Sequence, residues 1–469
     1  MSVVIVGGGP VGLTVSIALS ELGITNVVIE RDETVYGLPR AIVMDAEARY
    51  SLTRLGLGSR LERILEPMVA ADFVDAEHKR LMGVDLVGLE SLGCPVVSKH
   101  FQPMLDACLR EAAIERGARL ILGRSVIEIE NRDDAVTASL DDGTRIEGSY
   151  LVGSDGASSS VRKMSGITLC DLGFDQDWLV VDIELDDRQK SGLPDVTRQV
   201  CDARRPTTLV SGFGNYYRFE FQLQPGEERE AVVEESSVWR LLQPWISESQ
   251  ARLVRRAAYR FHAVVAEAMN TGRVLLAGDS AHQMPPFMGQ GLNCGMRDAF
   301  NLAWKLRYVL AQWSGSKLLD TYSSERIPLA RHVVEQSVET GRLVDQFAGR
   351  ESNEVSRHAG YGGRRLPGRY EEGVVVGNDP LVGTLYPYWH QLKNASVDGF
   401  SLLAGKPSNT ASLGPVPIRE VVTAESSRLG HDHIVVRPDG YVAAVCRHDE
   451  VVRVLQALKS RLYVAGGMP

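Results

Sequence analysis

Three glycines near the amino terminus constrain the fold more than any other feature of this 469-residue chain. The stretch "SVVIVGGGPVGLTVSIALSELGITNVVIER" places Gly7, Gly9 and Gly12 in the spacing G-x-G-x-x-G. A β-branched apolar run precedes them, an apolar helical pattern follows over residues 13–22, and a second apolar run ends at Glu30. Strand, glycine turn, helix and strand in this order predict a Rossmann-like parallel sheet in an α/β protein.

Each glycine of such a turn has its own task. Gly7 permits the tight turn, Gly9 lets the backbone approach a pyrophosphate, and Gly12 lets the helix pack close to the strand. Free N–H groups at the helix start bind phosphate, and the Glu30 carboxylate can accept hydrogen bonds from ribose hydroxyls. The motif predicts a bound dinucleotide but leaves FAD and NAD open. An acid at position 30 disfavours the 2'-phosphate of NADP at this site.

The composition excludes several classes of partner. The net charge of -9 gives no basic field for nucleic acid. The six cysteines form no C-x-x-C and no zinc-finger spacing, so we expect no metal site and a reducing, cytoplasmic location. No window contains about 18 uninterrupted apolar residues, so we expect no membrane span.

A second strand-and-turn signal lies in "YLVGSDGASSSVRKMSGI", residues 150–167. An apolar run ends in a turn at Asp155, and Arg162 follows where it could reach back toward a phosphate or a carboxylate. An Asp-Gly pair alone is more often only a turn, so the stretch gains weight from its companions.

The third signal is "LAGDSAHQMPPFMGQG", residues 276–291. It holds Asp279, Ser280 and His282, the residue types of a hydrolytic triad. The chain has no G-x-S-x-G elbow, which disfavours a hydrolase. A strand that ends at Asp279, a rigid proline loop and a helix opened by glycines indicate a cofactor-binding edge instead, with His282 as support.

The middle of the chain changes character. Residues 171–260 alternate as half-buried strands, which indicates a sheet-based insertion. Around Tyr217 and Arg218 the aromatic residues fall on both faces of one strand, which suggests a packed face and a solvated edge. Before this insertion, Gln102 begins an amphipathic helix that ends near Gly117, and locally it could be an ordinary polar residue at a helix start.

The three motifs in this order resemble the FAD-dependent aromatic hydroxylases, the class A flavoprotein monooxygenases that include 4-hydroxybenzoate 3-monooxygenase. The stretches "LPRAIVMDAEA", "YRFEFQLQPGE" and "GMRDAFNLAWKL" are similar to the branch of 3-(3-hydroxyphenyl)propionate hydroxylases and polyketide hydroxylases. The resemblance covers about residues 1–345. It implies a glutathione-reductase-type FAD-binding domain with an inserted substrate domain.

The resemblance also implies a non-covalent FAD site. In it, Arg31 lies beside the adenosine, the Val126 backbone contacts adenine, Arg40 and Gln102 reach the ribityl and phosphate region, and Asp279 binds the ribityl chain. Residues of the proline loop and the following helix start line the isoalloxazine. The implied cofactor-binding residues are Gly7, Gly9, Val11, Gly12, Glu30, Arg31, Arg40, Gln102, Val126, Asp155, Arg162, Gly278, Asp279, Pro286, Gly289, Gly291, Leu292 and Asn293.

The activity implied by the resemblance is hydroxylation of a phenolic or polyketide-like aromatic. NAD(P)H binds transiently and reduces FAD, and dioxygen forms a flavin C4a-hydroperoxide that transfers one oxygen to the ring. Epoxidation, Baeyer–Villiger oxidation and dehydrogenation share the same flavin site and stay open. A dinucleotide-binding protein without turnover is disfavoured by the proline loop.

Candidate residues for positioning the substrate are Tyr217, Arg218 and Pro286, with Met284 and Phe287 beside the proline loop. Core packing is an equal alternative for the four residues other than Pro286.

The resemblance implies three parts of the chain. The FAD-binding domain would comprise residues 1–70, 98–170 and 261–345, and the substrate domain residues 71–97 and 171–260. Residues 346–469 resemble a shortened thioredoxin-like region without a C-x-x-C, for which we expect packing or homodimer formation rather than redox activity. Tyr388 stands where the related enzymes usually have Gln, which puts the usual substrate of this branch in question.

Overall fold

The computed structural model describes residues 2–349, 368–392, 397–405 and 412–463. Its amino-terminal sheet is built on short β-branched strands buried on both faces, as expected for a parallel sheet covered by helices. Pairing is parallel except at the last edge strand. In spatial order the strands are Arg119–Leu122, Thr25–Glu30, Ser2–Val6, Tyr150–Gly153, Val274–Leu276 and Asn270–Thr271.

Helices and a three-stranded meander that includes Val136–Leu140 pack against this sheet and share its hydrophobic core, the largest in the described residues. Three helices supply most of the helical side chains of this core: Pro10–Glu21, Gln102–Glu115 and the central helix Gly291–Leu310. The long helix Asp320–Phe347 adds Tyr322 and packs mainly on the large sheet. Gln102 begins the helix Gln102–Glu115, as predicted. The remaining α-helices are Ala46–Leu52, Gly58–Leu61, Ser160–Met164, Arg229–Val232, Glu235–Leu242, Glu425–Arg428 and Val451–Arg461. No helix in the described part is long and apolar enough to cross a bilayer.

A second, larger sheet contains eight strands, and we call it the large sheet. One face packs on the short helices around Val238 and Leu242, and the other faces the long helix and the proline loop. In spatial order its strands are His282–Gln283, Ala251–Ala266, Leu169–Leu185, Tyr216–Gln222, Thr207–Ser211, Thr197–Cys201, Ala70–Asp75 and Arg80–Asp85.

Two findings refine the sequence analysis here. The strand Tyr216–Gln222 lies inside the large sheet and is buried on both faces after its first residue. The expectation that one side of this strand is a solvated edge was therefore wrong. The strands Leu169–Leu185 and Ala251–Ala266 run across the boundaries placed at 171 and 260. The division into domains therefore stays a proposal.

Smaller sheets complete the part before residue 349. A meander of three strands follows the first sheet, and two small antiparallel sheets join the amino-terminal part to the large sheet. Their strands are Val126–Asn131, Val136–Leu140 and Arg145–Gly148; Val43–Asp45, Val97–His100 and Leu65–Pro67; and Glu90–Ser91 and Cys94–Pro95.

The carboxy-terminal sheet has the order Ile418–Val422, Phe400–Ala404, His433–Val436 and Val442–Cys446. Its first pair is parallel, the other two are antiparallel, and the helix Val451–Arg461 follows. This arrangement fits the shortened thioredoxin-like region.

A buried group of charges joins this region to the two main helices. Glu325 of the long helix accepts hydrogen bonds from Lys305 of the central helix (2.7 Å) and from Arg437 (2.8 and 3.0 Å). Asp439 accepts from Arg437 and from the Trp304 indole, 3.1 Å away. These charged side chains are almost completely inaccessible to solvent, so each depends on its partners to offset its desolvation.

Replacing Glu325 with Gln should therefore lower the free energy of unfolding by about 3 kcal/mol at neutral pH. Burial opposes ionisation of Glu325, but Arg437 and Lys305 outweigh it and lower its pKa from 4.5 to about 2. The stabilising contribution is complete above pH 4.5 and is lost as the pH falls toward 2. Urea unfolding at several pH values should show the difference between wild type and E325Q shrinking over that interval.

Glu450→Gln is the matched control, because Glu450 pairs with Arg447 and Arg453 at the surface. Its effect should stay within about 1 kcal/mol. Equal effects of the two substitutions would contradict the role given to the buried group.

Candidate cofactor and substrate site

The three sequence motifs meet at one edge of the amino-terminal sheet. Ser2–Val6 pairs in parallel with Tyr150–Gly153, which pairs in parallel with Val274–Leu276. Each motif begins where its strand ends, so all three turns lie at the carboxyl edge. Ligands of open α/β sheets bind at this edge.

The first and second motifs are in direct contact. Gly7 has a φ of +108°, and a Cβ there would lie 2.3 Å from the Ser154 carbonyl oxygen. The Ser154 hydroxyl in turn donates to the carbonyls of Val6 and Gly7 at 3.1 and 3.2 Å. Only glycine fits at position 7, for both conformational and steric reasons.

The second and third motifs are joined by Arg162. Its guanidinium donates to the Ser280 carbonyl at 2.9 Å and to the Ala157 carbonyl at 3.2 Å. Asp155 accepts from the Ser159 and Ser160 hydroxyls and from the Val161 amide, and so fixes the start of the helix Ser160–Met164, whose N-cap is Ser159. Both residues thus brace the site, and direct cofactor contact by them stays a prediction.

Val11 joins the first motif to the third. A Cβ on Gly278 would lie 3.0 Å from Val11 Cγ2, and one on Gly295 would lie 2.6 Å from the same atom. The helix Pro10–Glu21 and the central helix therefore approach closely enough that both glycines are required.

The start of the helix Pro10–Glu21 is shaped to receive a ligand. Gly9 is its N-cap and provides no side-chain hydrogen bond, which leaves the first amides without helical partners. A Cβ at Gly9 would meet no described atom within 4 Å. Beside it, Glu30 accepts hydrogen bonds from the amides of Gly8 (2.5 Å) and Asp32 (2.9 Å), which fixes its carboxylate.

Asp279 lies at the opposite side of this opening. It keeps solvent-exposed surface, yet the surrounding protein desolvates its carboxylate and raises its pKa, while His282 and Arg40 oppose the shift. Within the described residues no group donates a hydrogen bond to it. A Cβ on Gly291 would lie 4.0 Å from Asp279 Oδ1, so the start of the central helix is adjacent.

A buried carboxylate holds the third motif in place. Asp298 of the central helix accepts from the Gly278 amide (2.9 Å), from His282 Nε2 (2.7 Å) and from Arg326 Nε (2.7 Å). Burial works to lower the pKa of His282, but Cys294 and Asp298 outweigh it and raise the pKa well above the ordinary value. His282 thus supports the third motif through its hydrogen bond with Asp298, which agrees with the supporting role expected from the sequence.

His282, Cys294 and Asp298 also offer ligand atoms within 4.8 Å of one another. Because Arg326 already neutralises Asp298, the group is explained as a hydrogen-bond network. Sequence reasoning missed Asp298 and Arg326. Their only signal was a charged residue among the apolar positions of each helix.

The loop before residue 41 forms another wall. The Ala41 amide donates to Gln102 Oε1 at 2.6 Å, so Gln102 fixes the loop that carries Arg40. Arg40 is exposed, stacks on the Tyr36 ring and acts on Asp279 electrostatically. Arg31 is exposed further along, and Val126 begins its strand as a buried residue.

The proline loop lies between the central helix and the large sheet. Pro286 begins a 3-10 turn, and Phe287 packs edge-on against Trp178 with 5.3 Å between ring centroids. At Gly289 φ is +61°, and a Cβ would lie 2.2 Å from Val43 Cγ2.

The helix start that follows is anchored from below. Asn293 is fully buried, donates to the Gly289 carbonyl and accepts from the Asp45 amide, both at 3.0 Å. Gly291 and Leu292 are only partly buried, so they lie at the lip of the site while Asn293 supports it.

Tyr217 and Arg218, the two strand residues considered for substrate positioning, form contacts within the protein instead. The Tyr217 hydroxyl donates to the Pro194 carbonyl at 3.0 Å, and its ring lies in the hydrophobic cluster on the far face of the large sheet. Arg218 is paired with Asp182 (2.7 and 3.0 Å) and donates to the carbonyls of Pro39 and Arg40. Direct substrate contact fits neither residue: one is packed in a core, and the other has its donors occupied.

Comparison with known proteins agrees with this geometry. The family described as FAD binding domain matches residues 1–337. The chain belongs to this FAD binding domain family. The open cradle at Gly9, the fixed carboxylate of Glu30 and the unpaired Asp279 are suited to hold FAD.

Two named relatives are similar over most of the chain. A probable NADH-specific resorcinol 4-hydroxylase of Rhodococcus jostii is 36% identical over 73% of this chain and 65% of its own length. A 3-(3-hydroxy-phenyl)propionate/3-hydroxycinnamic acid hydroxylase of Mycolicibacterium smegmatis is 34% identical over 73% and 61%. The chain spans less than two thirds of the length of both relatives.

Among solved structures, aklavinone-11 hydroxylase in complex with FAD and aklavinone has the same fold. Its TM-score is 0.83 at 24% identity, with 98% of this chain and 99% of that chain covered. The agreement over nearly the full length includes the carboxy-terminal sheet.

The glycines allow a matched test of the cradle. Gly9→Ala should change the free energy of unfolding of the FAD-free protein by less than about 1 kcal/mol, because its backbone is extended and its Cβ meets open space. The same substitution should weaken FAD binding at least about tenfold by filling the cradle. Calorimetry with FAD and urea unfolding measure the two quantities.

Gly7→Ala is the counterpart. It should lower the free energy of unfolding by about 3 kcal/mol or more, because the left-handed φ and the Ser154 carbonyl both exclude a Cβ. Equal stability losses in the two variants would refute the assignment of Gly9 to an open cofactor cradle and of Gly7 to a close backbone contact.

Asp279→Ala should lower the amount of FAD retained on purification, measured by absorbance of the bound flavin. Asp134→Ala is the control. Asp134 is exposed, and its carboxylate forms a surface ion pair with Arg132 at 3.6 Å. Unchanged flavin occupancy in the Asp279 variant would refute its assignment to the cofactor.

Proposed function

We propose that the protein is an NAD(P)H- and dioxygen-dependent hydroxylase of a phenolic or polyketide-like aromatic. The observation that carries the proposal is the position of the proline loop, which lies between the Asp279 edge and a buried face of the large sheet. That face carries apolar side chains such as Trp178 next to the loop and the Arg218–Asp182 pair further along the strands. A flavin held at that edge would face a second compartment of the protein rather than open water.

FAD supplies the redox chemistry, accepting hydride and activating dioxygen when bound. The residues of the chain hold it and exclude water. Glu30 and the first helix bind the nucleotide half, Asp279 lies at the ribityl side, and Arg218 fixes the Arg40 loop over the opening. Exclusion of water favours oxygen transfer over loss as peroxide.

The substrate class rests on the relatives. Two proteins similar over most of this chain are named for hydroxylation of resorcinol and of hydroxyphenylpropionate. The aklavinone hydroxylase has the same fold and a name that indicates a larger aromatic polyketide. A ring carrying at least one hydroxyl is common to the names of the first two.

The reductant follows the same reasoning. The resorcinol hydroxylase is named as NADH-specific, so we propose NADH as the first nicotinamide to test. The exposed surface near Arg31 and Arg40 offers two cations beside the nucleotide edge.

The test is oxidation of NADH or NADPH by the FAD-loaded protein with resorcinol, hydroxyphenylpropionate and an anthracyclinone-type polyketide, under dioxygen labelled with oxygen-18. We expect at least one of these to accelerate NAD(P)H oxidation and to yield a product with one labelled oxygen on the ring. Oxidation that gives only peroxide with every compound would contradict hydroxylation.

The products also separate the other oxidations. A labelled oxygen inserted next to a carbonyl would indicate Baeyer–Villiger oxidation, a labelled epoxide would indicate epoxidation, and loss of two hydrogens without label would indicate dehydrogenation.

We further propose a cytoplasmic location, because the six cysteines are free thiols, as in reducing compartments. A homodimer is the assembly to test, by light scattering of the FAD-loaded protein.

A further inference from the structure

Glu220 lies in the middle of the large sheet, on the face opposite the cluster around Val238 and Leu242. It pairs with Val180 on one neighbouring strand and with Thr208 on the other, and only 4% of its surface is exposed. A carboxylate in such a position needs a reason, because acidic residues are rarely buried without a partner.

Both cofactor loops touch the large sheet close to Glu220. Two residues before it, Arg218 donates to the carbonyls of the Arg40 loop. Two residues after it, Gln222 pairs with Trp178, which packs on Phe287 of the proline loop. Glu220 therefore lies between the two contacts, on the face of the large sheet that the proline loop covers.

The side-chain carboxylate of Glu220 accepts no hydrogen bond from any residue in the described ranges. The nearest cation to the Glu220 carboxylate is Arg218, whose Nη1 lies 3.9 Å away. Arg218 donates its hydrogen bonds to Asp182 and to the carbonyls of the Arg40 loop instead. On the same row of the sheet, Gln199 accepts from the Thr208 hydroxyl at 2.7 Å, while its Nε2 is buried and unpartnered. The Glu220 carboxylate, an acceptor, and Gln199 Nε2, a donor, thus lie unpaired on one face of the large sheet. Buried polar groups are normally paired.

The charges around Glu220 allow it to exist in both protonation states near neutral pH. Arg218 of its own strand, Asp182 of the next strand and Arg255 of the strand beyond are the charged groups that act on it, and Arg255 also contacts the Tyr259 hydroxyl. Burial raises the pKa of Glu220 to about 7, with Arg218 opposing the shift. Ionised Glu220 makes the two cations and two anions neutral in sum.

We propose that Glu220 is the proton acceptor for the hydroxyl group of a phenolic substrate bound between the large sheet and the proline loop. The inference rests on the proposed function. The phenol O–H bond breaks, its proton moves to a Glu220 carboxylate oxygen, and the electron pair stays on the phenol oxygen. The ring carbons ortho and para to that oxygen become more electron-rich. Gln199 Nε2 donates a hydrogen bond to a second oxygen of the substrate.

The experiment compares wild type with Glu220→Gln, which keeps the side-chain size and removes the proton acceptor. With FAD-loaded protein and resorcinol, ultraviolet difference spectra should show bound phenolate in wild type at a pH where free resorcinol is still a phenol. The variant should show only bound phenol. Its kcat/KM should fall about 100-fold at pH 8, and the rise of kcat/KM through about pH 7 should disappear.

Glu184→Gln is the matched control, because Glu184 lies on the same face at the outer end of the sheet and pairs with exposed Arg252. Its spectrum and pH profile should match those of wild type. Glu220→Asp should restore part of the pH dependence, which a purely structural role would not produce.

The outcomes separate the two proposals. If no phenol binds or accelerates NAD(P)H oxidation in wild type, the proposed function is wrong. If wild type turns over and E220Q keeps the phenolate band and the pH profile, the role of Glu220 is wrong. Should E220Q retain no FAD, the wild-type titration decides alone: bound resorcinol that stays a phenol from about pH 6 to about pH 9 overturns the proposal.

Discussion

Parallel pairing of three short strands is the constraint on which the rest of the structure depends. It brings together turns that start at Gly7, Ser154 and Gly278, more than a hundred residues apart in sequence. The backbone contacts between them leave no room for side chains, so glycine positions and carbonyl contacts define the cofactor edge before any charged group takes part. Asp298 then holds the third turn from behind through the Gly278 amide and His282.

The sequence predicted what depends on local pattern. The glycine turn, the helix start at Gln102, the strand end before Asp279 and the strand-rich insertion all appear in the structure. The resemblance to flavin hydroxylases predicted the family that the comparison identifies. These features need only neighbours in the chain to be recognised.

Pairing across strands could not be predicted, because it depends on register. Arg218 was expected at the substrate, but Asp182 on the neighbouring strand and the Pro39 carbonyl occupy it. Tyr217 was also a candidate at the substrate. Neighbouring residues of a strand point to opposite faces of the sheet, and the Tyr217 ring lies in the hydrophobic cluster around Val238 and Leu242. Glu220 attracted no notice as one acid in a strand, and its unpaired state is visible only once its neighbours are placed.

The buried charges around Glu325 have a consequence for how this protein can be shortened or fused. Arg437 and Asp439 are supplied by the carboxy-terminal region, while Glu325, Lys305 and Trp304 belong to helices that also carry the cofactor edge. A chain truncated before residue 437 would deprive the buried Glu325 carboxylate of its Arg437 partner and the Trp304 indole of Asp439. The carboxy-terminal region therefore cannot be detached as an independent module without leaving buried polar groups of the two helices short of partners.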